Sequence, residues 1–468
     1  MTGELFWKDI EKALSFDDRV LPPNSPTLIY EGDFELEASE SEHYLTLIGK
    51  IEQYWIPLPQ VRFVGISSKP NHNMFNLLSK KFNSTKENLF FECIITCMRE
   101  VNDSVEYGGL ITGSLLSGSK VPVDEVRFSL VNFPDFRGHP VKQLCEDTNI
   151  RRLDSLTLIG NGWTLRIDQR FKCNDYLDEV CSRGGFVSTH SCSLRRFDGD
   201  LFDYSDAIEL INSLQYFFGF LAGRWCGPIL TKGLIDNSRS CWDGYGSFHL
   251  SSTSQGDSWF PLNYSSDIEN LFSGFLDLWN SEVWSGPLLQ TVHWIITANT
   301  SHNPIETHII SAFVPLEMLS WLILVEYKSL YSNKEFKNNF GKAEAKLAEL
   351  LRVTGISNDL PKHMQSLLAS SSDQNLGDKD LSDENSPNAS KILVKIRNAI
   401  THPHKTNREF LRQTSGFAKY EAKELCLEFV ELILLQNMNY SGRYRRRAFK
   451  GWNGDEYAYV PWRGGVRL

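Results

Sequence analysis

The segment Arg397-Asn398-Ala399-Ile400-Thr401-His402 holds the two side chains that metal-free cleavage of RNA requires. One is a group that exchanges a proton near neutral pH, and histidine is the side chain whose unperturbed titration falls there. The other is a permanent cation for phosphate, and arginine offers a planar fork that fits phosphate oxygens. On a regular helix Arg397 and His402 would not share a face, because helical neighbours lie three and four apart. Pro403 changes this, since the residue before a proline is pushed out of helical geometry. The pattern predicts a helix that ends at His402, with the imidazole turned back toward Arg397. A helix C-terminus also favours the protonated imidazole, which suits proton donation to a leaving oxygen. The plainer reading of the same residues is a helix-end cap.

His404, just past Pro403, could replace His402 or compete with it as the base. Arg443, Arg445, Arg446, Arg447 and Lys450 form the densest basic cluster of the chain, interleaved with Tyr444, Phe449 and Trp452. Such a cluster is either an RNA-backbone contact with stacking surfaces or a solvated tail. Glu317, inside an apolar run, reads as a paired core carboxylate rather than a catalyst. Cys173, Cys181, His190 and Cys192 are zinc-ligand types, but their spacing fits no standard zinc module. Cys93 and Cys97 read as core residues. Gly113 to Lys120 falls short of a phosphate loop: one residue too many precedes the lysine, and Val121 replaces the needed Ser or Thr. No HExxH, GxSxG or dinucleotide fingerprint is present, so the expectation is no metal and no cofactor.

The elements that must position the motif follow from composition and periodicity. With 468 residues, 41% hydrophobic and 12% aromatic, the chain can build more than one core. A formal charge of −10 argues against a general nucleic-acid coat but leaves room for a local basic patch. Nine dispersed cysteines and an N-terminus without a basic-then-apolar signal point to reduced thiols in the cytoplasm. The most apolar stretch, Ile309–Val325, carries Pro315 and Glu317; it falls short of a membrane span and reads as a buried helix.

Strand patterns fill residues 1–204: Tyr44–Ile51, Val61–Ser67, Leu89–Cys97, Val126–Val131, Gly185–Leu194, and a hairpin turning at Asn161-Gly162. Residues 205–286 read as a connecting region. A helix opens at Asp206 and Glu209, which have capping-box spacing, and Gly223 to Pro261 reads as irregular. From 287 to 468 helical periods dominate, broken by a polar, acidic, flexible loop at 370–390. The fold class is thus α+β and multidomain, a β-rich sandwich or barrel-like part followed by an all-α bundle.

The RNAITH segment, with its arginine, following polar residue and closing histidine, resembles the motif of the HEPN superfamily of all-helical ribonucleases. Thr291-Val292-His293-Trp294, Pro315-Leu316-Glu317-Met318-Leu319 and Val460-Pro461-Trp462, with the β-rich first half, resemble the ApeA type of bacterial anti-phage HEPN protein. The resemblance implies a HEPN-like bundle at 287–468 that works as a homodimer or higher even oligomer. It implies that His402 is the acid/base in attack by a ribose 2′-hydroxyl, that Arg397 steadies the phosphoryl oxygens, and that Asn398 orients one of them or the RNA backbone. It further implies an abortive-infection toxin cutting structured host RNA, such as transfer RNA anticodon loops. The first 204 residues would then sense a phage-protein trigger. No membrane partner is expected. The alternative is a non-catalytic dimeric sensor or scaffold built on a degenerate bundle.

Overall fold

The computed structural model describes residues 10–15, 22–38, 44–68, 81–84, 89–113, 115–145, 148–236, 239–245, 249–252, 257–300, 303–372, 388–449, 452 and 454–464. The chain divides into two compact units, Met1–Phe218 with Trp225–Ser254, and Gly219–Arg224 with Gln255–Leu468.

The first unit begins with β1 (Thr27–Ala38), β2 (Tyr44–Tyr54), β3 (Gln60–Ser67), β4 (Lys81–Ser84), β5 (Leu89–Val101) and β6 (Ser104–Ile111). Antiparallel pairing runs β1–β2–β3–β6–β5–β4 and returns from β4 to β1, so the six strands close into a barrel. Closure removes the unpaired edges that invite aggregation. Sequence alternation makes it possible. In β1, Phe34 and Leu36 are buried while Asp33 and Glu37 face solvent; in β2, Leu45 and Leu47 alternate with exposed Thr46 and Ile48. Phe34 meets Phe63 and Phe91 edge-on at 6.0 and 6.3 Å, filling an interior that a barrel of this size packs solid.

The same unit continues with β7 (Leu115–Gly118), β8 (Glu125–Val131), β9 (His139–Cys145), β10 (Thr148–Gly160), β11 (Trp163–Gln169), α1 (Cys173–Arg183), β12 (Ser188–Arg196), α2 (Tyr204–Ala222), β13 (Pro228–Ile235) and β14 (Arg239–Tyr245). Their strand order is β7-β14-β13-β8-β12-β11-β10-β9, and β7 also pairs with β5 of the barrel. The β10–β11 hairpin turns where expected: Asn161 and Gly162 have φ of 46° and 80°, the positive pair of a type I′ turn. The stretch from Gly223 to Pro261, expected to be irregular, contains the β13–β14 hairpin. Its Gly, Ser and Trp content hid the pairing: Trp242 lies over Gly233, where a side chain would collide with the indole. Likewise α2 starts before the supposed capping box, so Asp206 sits in its first turn rather than at its cap.

The second unit is helical. It contains α3 (Leu271–Trp279), α4 (Ser285–Asn299), α5 (Ile305–Trp321), α6 (Asn333–Asn339), α7 (Ala343–Thr354), α8 (Gln365–Ser372), α9 (Ala389–Thr401), α10 (Lys405–Gln413) and α11 (Gly416–Asn437), then β15 (Arg443–Arg445) and β16 (Tyr457–Tyr459). Most of the supposed 370–390 loop lies outside the described residues, although α8 runs to Ser372 and α9 begins at Ala389. With the π turn Leu322–Tyr327, α5 reaches 23 residues, long and apolar enough for a membrane span by length and composition. It is 67% buried, packed against α4, α7 and α11.

α11 is the central helix, and its burial includes four carboxylates: Glu421, Glu424, Glu428 and Glu431. Spacings of three, four and three place them along one face. Glu421 accepts the Leu367 N–H at 2.8 Å. The other three surround Arg447, which is 2% exposed. Its Nε and Nη2 fork onto Glu431 at 2.7 and 2.6 Å, and Nη1 donates to Glu424 at 2.8 Å. The remaining Nη donors reach Asn299 Oδ1 and the Asp257 carbonyl, so all five N–H groups are satisfied. Glu428 accepts the Arg447 backbone N–H and the Tyr444 hydroxyl.

Burial, with Glu431 alongside, pushes the Glu428 carboxyl up to about 7. A folded pKa above the unfolded one means that stability falls as pH rises from the ordinary carboxylate range through about 7. Glu428→Gln, which stays neutral, should therefore melt above the parent chain at pH 8 and lose that advantage at pH 5. An equal offset at both pH values would show that Glu428 does not titrate in this window.

Candidate active site

The motif helix α9 is defined at both ends. Asn388 caps its start by accepting the Lys391 N–H at 3.3 Å. Ile392, Leu393, Ile396 and Ala399 are buried, which fixes the helix against α5, α7 and α11. Pro403 ends it: His402 has φ −124° and ψ 77°, outside helical geometry, although its N–H still reaches the Asn398 carbonyl at 2.8 Å. Asn407, in the first turn of α10, braces this end by donating to the carbonyls of His402 at 2.7 Å and Asn398 at 3.4 Å. The helix end is thus a fixed structure rather than a frayed one.

Arg397 lies at the border of the buried stripe, its side chain 23% exposed. Its Nη2 donates to both oxygens of Glu317 at 2.6 Å, and its Nη1 donates to Asn398 Oδ1 at 2.9 Å. The guanidinium carbon sits 5.4 Å from the ring centre of Phe313, one turn before Glu317 on α5. Glu317 is therefore paired, as expected, but it is 42% exposed and not a core residue. These contacts hold the guanidinium plane while leaving Nε–H and one Nη1 N–H without partners among the described residues. The two lie on different edges of the plane, so each can give a single charge-assisted hydrogen bond to a phosphoryl oxygen.

His402 and His404 are both exposed, and neither ring has a hydrogen-bond partner among the described residues. No hydrogen bond joins His402 to Arg397. The helix end presents a cation and an imidazole to the same solvent, separately supported. Asn398, Glu317 and Asn407 do the supporting. Sequence reasoning flagged Glu317 as needing a partner because a lone charge in an apolar run cannot be left unpaired. Which partner it takes required the packing of α9 on α5. Glu317→Ala should unpin the guanidinium and lower any Arg397-dependent RNA cleavage about tenfold or more, with a melting temperature close to that of the parent, since half-exposed pairs stabilise little. Unchanged cleavage would show that the pair does not position Arg397.

The basic cluster is not a free patch. Arg447 forms the buried cluster with α11, which corrects its assignment as a backbone contact: a saturated, enclosed guanidinium reaches no RNA. Arg443 pairs with Asp267 at 3.1 Å and stands over the rings of Tyr264 and Tyr459. Arg445 pairs with Asp257 at 3.1 Å, and Arg446 lies 4.2 Å over Phe449. Lys450 lies outside the described residues.

The cysteine and histidine set is not assembled either. Cys173 and Cys192 are buried, Cys181 is exposed, and no group of three metal-ligating side chains converges among the described residues. His190 stacks on Phe136 and accepts or donates at Thr189 Oγ1, 2.9 Å away, and burial brings its pKa down to about 3.

Residues 118–256 match the family model of the YopA central domain, and residues 281–458 match that of the YopA C-terminal domain. The chain is similar to YopA. Over 452 residues it is 24% identical to a Bacillus subtilis (strain 168) protein described as SPbeta prophage-derived uncharacterized protein YopA, spanning 94% of this chain and 96% of that one. No solved structure matches the chain. The two matched regions meet the division into units: the first stops at 256, beside the boundary after Ser254, and the barrel of β1 to β6 precedes it.

Proposed function

We propose that this chain is a metal-independent endoribonuclease of the HEPN type, acting as a toxin in anti-phage defence. The observation that carries the reading is the braced end of α9, which presents a pinned guanidinium with two unused donors and, five residues on, an unpartnered, exposed imidazole. His402 takes the proton of a ribose 2′-hydroxyl, O2′ bonds to the adjacent phosphorus, and the bond from phosphorus to O5′ breaks. A 2′,3′-cyclic phosphate and a 5′-hydroxyl end result, with Arg397 on the phosphoryl oxygens.

One imidazole cannot accept the first proton and donate to O5′ in the same moment. A second copy of the chain, pairing about the end of α9, would bring the second imidazole, so a homodimer belongs to the proposal. An unstacked nucleotide in a loop, such as a transfer RNA anticodon loop, can be drawn into line for attack. The prophage origin of the Bacillus subtilis relative fits a gene carried by one phage against others. The β-rich first unit would sense the trigger.

A second reading, a non-catalytic dimeric sensor or scaffold, draws on the Arg397–Glu317 pair, which also serves as a plain strut between α9 and α5. Expression of the chain and of its Arg397→Ala and His402→Ala forms, with RNA integrity followed in the presence of chelator, decides between them. Cleavage by the parent alone, leaving cyclic phosphate ends, is expected. Equal RNA integrity with all three proteins would favour the scaffold.

A further inference from the structure

The loop joining β15 to β16 and the second turn of α11 enclose an open pocket of about 160 Å³ that the proposed reaction does not use. Ser258, Tyr420, Arg445, Arg446, Phe449 and Glu456 line it, with Arg447 at its floor. Three observations set it apart from an ordinary surface dent. The buried Nε–H of Arg446 has no acceptor, although buried donors are nearly always satisfied. Ala448, in the pocket wall, has φ 52°, a conformation L-residues rarely adopt and one that tends to persist at binding sites. Trp452, further along the same loop, is 85% exposed.

We propose that this pocket seats one unpaired nucleobase of an RNA strand, with Arg446 on the adjoining phosphate. The assignment rests on RNA being the ligand of this chain and extends that reading to a second contact built from other residues. Aromatic rings are the usual platforms for single-stranded bases, and Tyr420 and Phe449 supply them here. Arg446 already lies 4.2 Å over the Phe449 ring, so its planar cation joins the stack while Nε–H points for an acceptor. The cavity has room for a base and not for a folded segment. Its acidic members choose among bases. Asp257 gives one oxygen to Arg445, and Glu456 gives one to the Gly454 N–H. The second oxygen of each has no partner among the described residues, and a carboxylate only accepts. Cytosine, adenine and guanine carry an exocyclic amino group with two hydrogens to donate, whereas uracil offers a single N3–H. With two carboxylate oxygens to satisfy, the pocket therefore favours an amino-bearing base over uridine.

The test measures binding of short 2′-O-methyl oligocytidine and oligouridine strands to the full chain by fluorescence anisotropy. Such strands cannot be cut through a 2′-hydroxyl. Tyr420→Ala and Arg446→Ala should each weaken oligocytidine binding about tenfold, while Tyr420→Phe, which keeps the ring, binds as the parent does. Oligouridine should bind the parent several-fold more weakly than oligocytidine. Melting curves confirm that each variant is folded. Parent-like binding by both alanine variants, or a Tyr420→Phe form as weak as alanine, or oligouridine bound as well as oligocytidine, overturns the assignment. A chain that cuts RNA but binds without regard to Tyr420 loses the pocket alone. One that binds through Tyr420 and never cuts loses the nuclease reading alone.

Discussion

His402→Ala should lower RNA cleavage by about 10²–10⁴-fold, the usual worth of a positioned general acid or base. The reason lies in where the ring stands. It is exposed at the end of α9, contributes no side-chain hydrogen bond to the fold, and follows the last buried turn by three residues. Its loss removes chemistry and little else, so the variant should melt with the parent. Arg397→Ala should cost about 10²–10³-fold, as expected for a lost charge stabiliser. It also releases Glu317, so a small change in stability accompanies it. The two effects should not add: once either group is missing, the same transition state is out of reach. His404→Ala is the control for the choice of base. Its ring lies on the far side of Pro403, at the start of α10, and its loss should leave most cleavage intact. If His404→Ala is the silent form and His402→Ala is active, the assignment of the base moves by two residues. If neither histidine matters, the nuclease reading is lost.

Arg447→Met should be the most destabilising single change in the helical unit. The substitution keeps the bulk of the side chain but leaves Glu431 buried without its cation and Glu424 with Lys423 alone. Breaking a buried pair by removing one partner typically costs about 3–5 kcal/mol, against a total stability of roughly 5–15 kcal/mol for a domain. Five N–H donors, to two carboxylates, an amide oxygen and a backbone carbonyl, are lost together here, so the upper end is expected in urea or thermal unfolding. Adding Glu424→Gln and Glu431→Gln to Arg447→Met should recover much of the loss, because the two carboxylates that faced the lost guanidinium are then neutral. A single variant within about 0.5 kcal/mol of the parent, the range of ordinary surface changes, would show that the cluster carries no such weight.

The contrast between Arg447 and Arg397 shows what was legible in the residues and what was not. Both arginines lie in basic segments, and only Arg447 has aromatic neighbours in the sequence, Tyr444 and Phe449. Arg397 ends up half-open because α9 turns only one stripe inward, and the periodicity of Ile392, Leu393 and Ile396 already said so. Arg447 ends up enclosed because the preceding helix α11 folds back to offer it carboxylates, and no local pattern announces a partner 16 to 23 residues away. The glutamates of α11, at spacings of three and four, form the inner lining of that buried cation site.

The sheets divide similarly. The Asn161-Gly162 turn and the alternating strands around it were readable because a type I′ hairpin depends on two adjacent residues and a period of two. The closure of six strands into a barrel depends on β4, four residues long, pairing with both β1 and β5. A strand that short carries almost no periodicity of its own, and the Gly-rich β13–β14 hairpin carries a misleading one.

By itself the sequence determined the order of a β-rich part before a helical one, the turn at Asn161-Gly162, and the helix that Pro403 brings to a stop beside Arg397 and His402. These are local matters, settled by side-chain period, backbone restriction and neighbours a few positions away. Tertiary structure alone decided that Glu317 would hold the Arg397 guanidinium, that Arg447 would be sealed inside, and that Tyr420 and Phe449 would wall a pocket. Each of those joins residues far apart in the chain, where the free energy of burying a charge or a ring depends on what the rest of the fold brings to meet it.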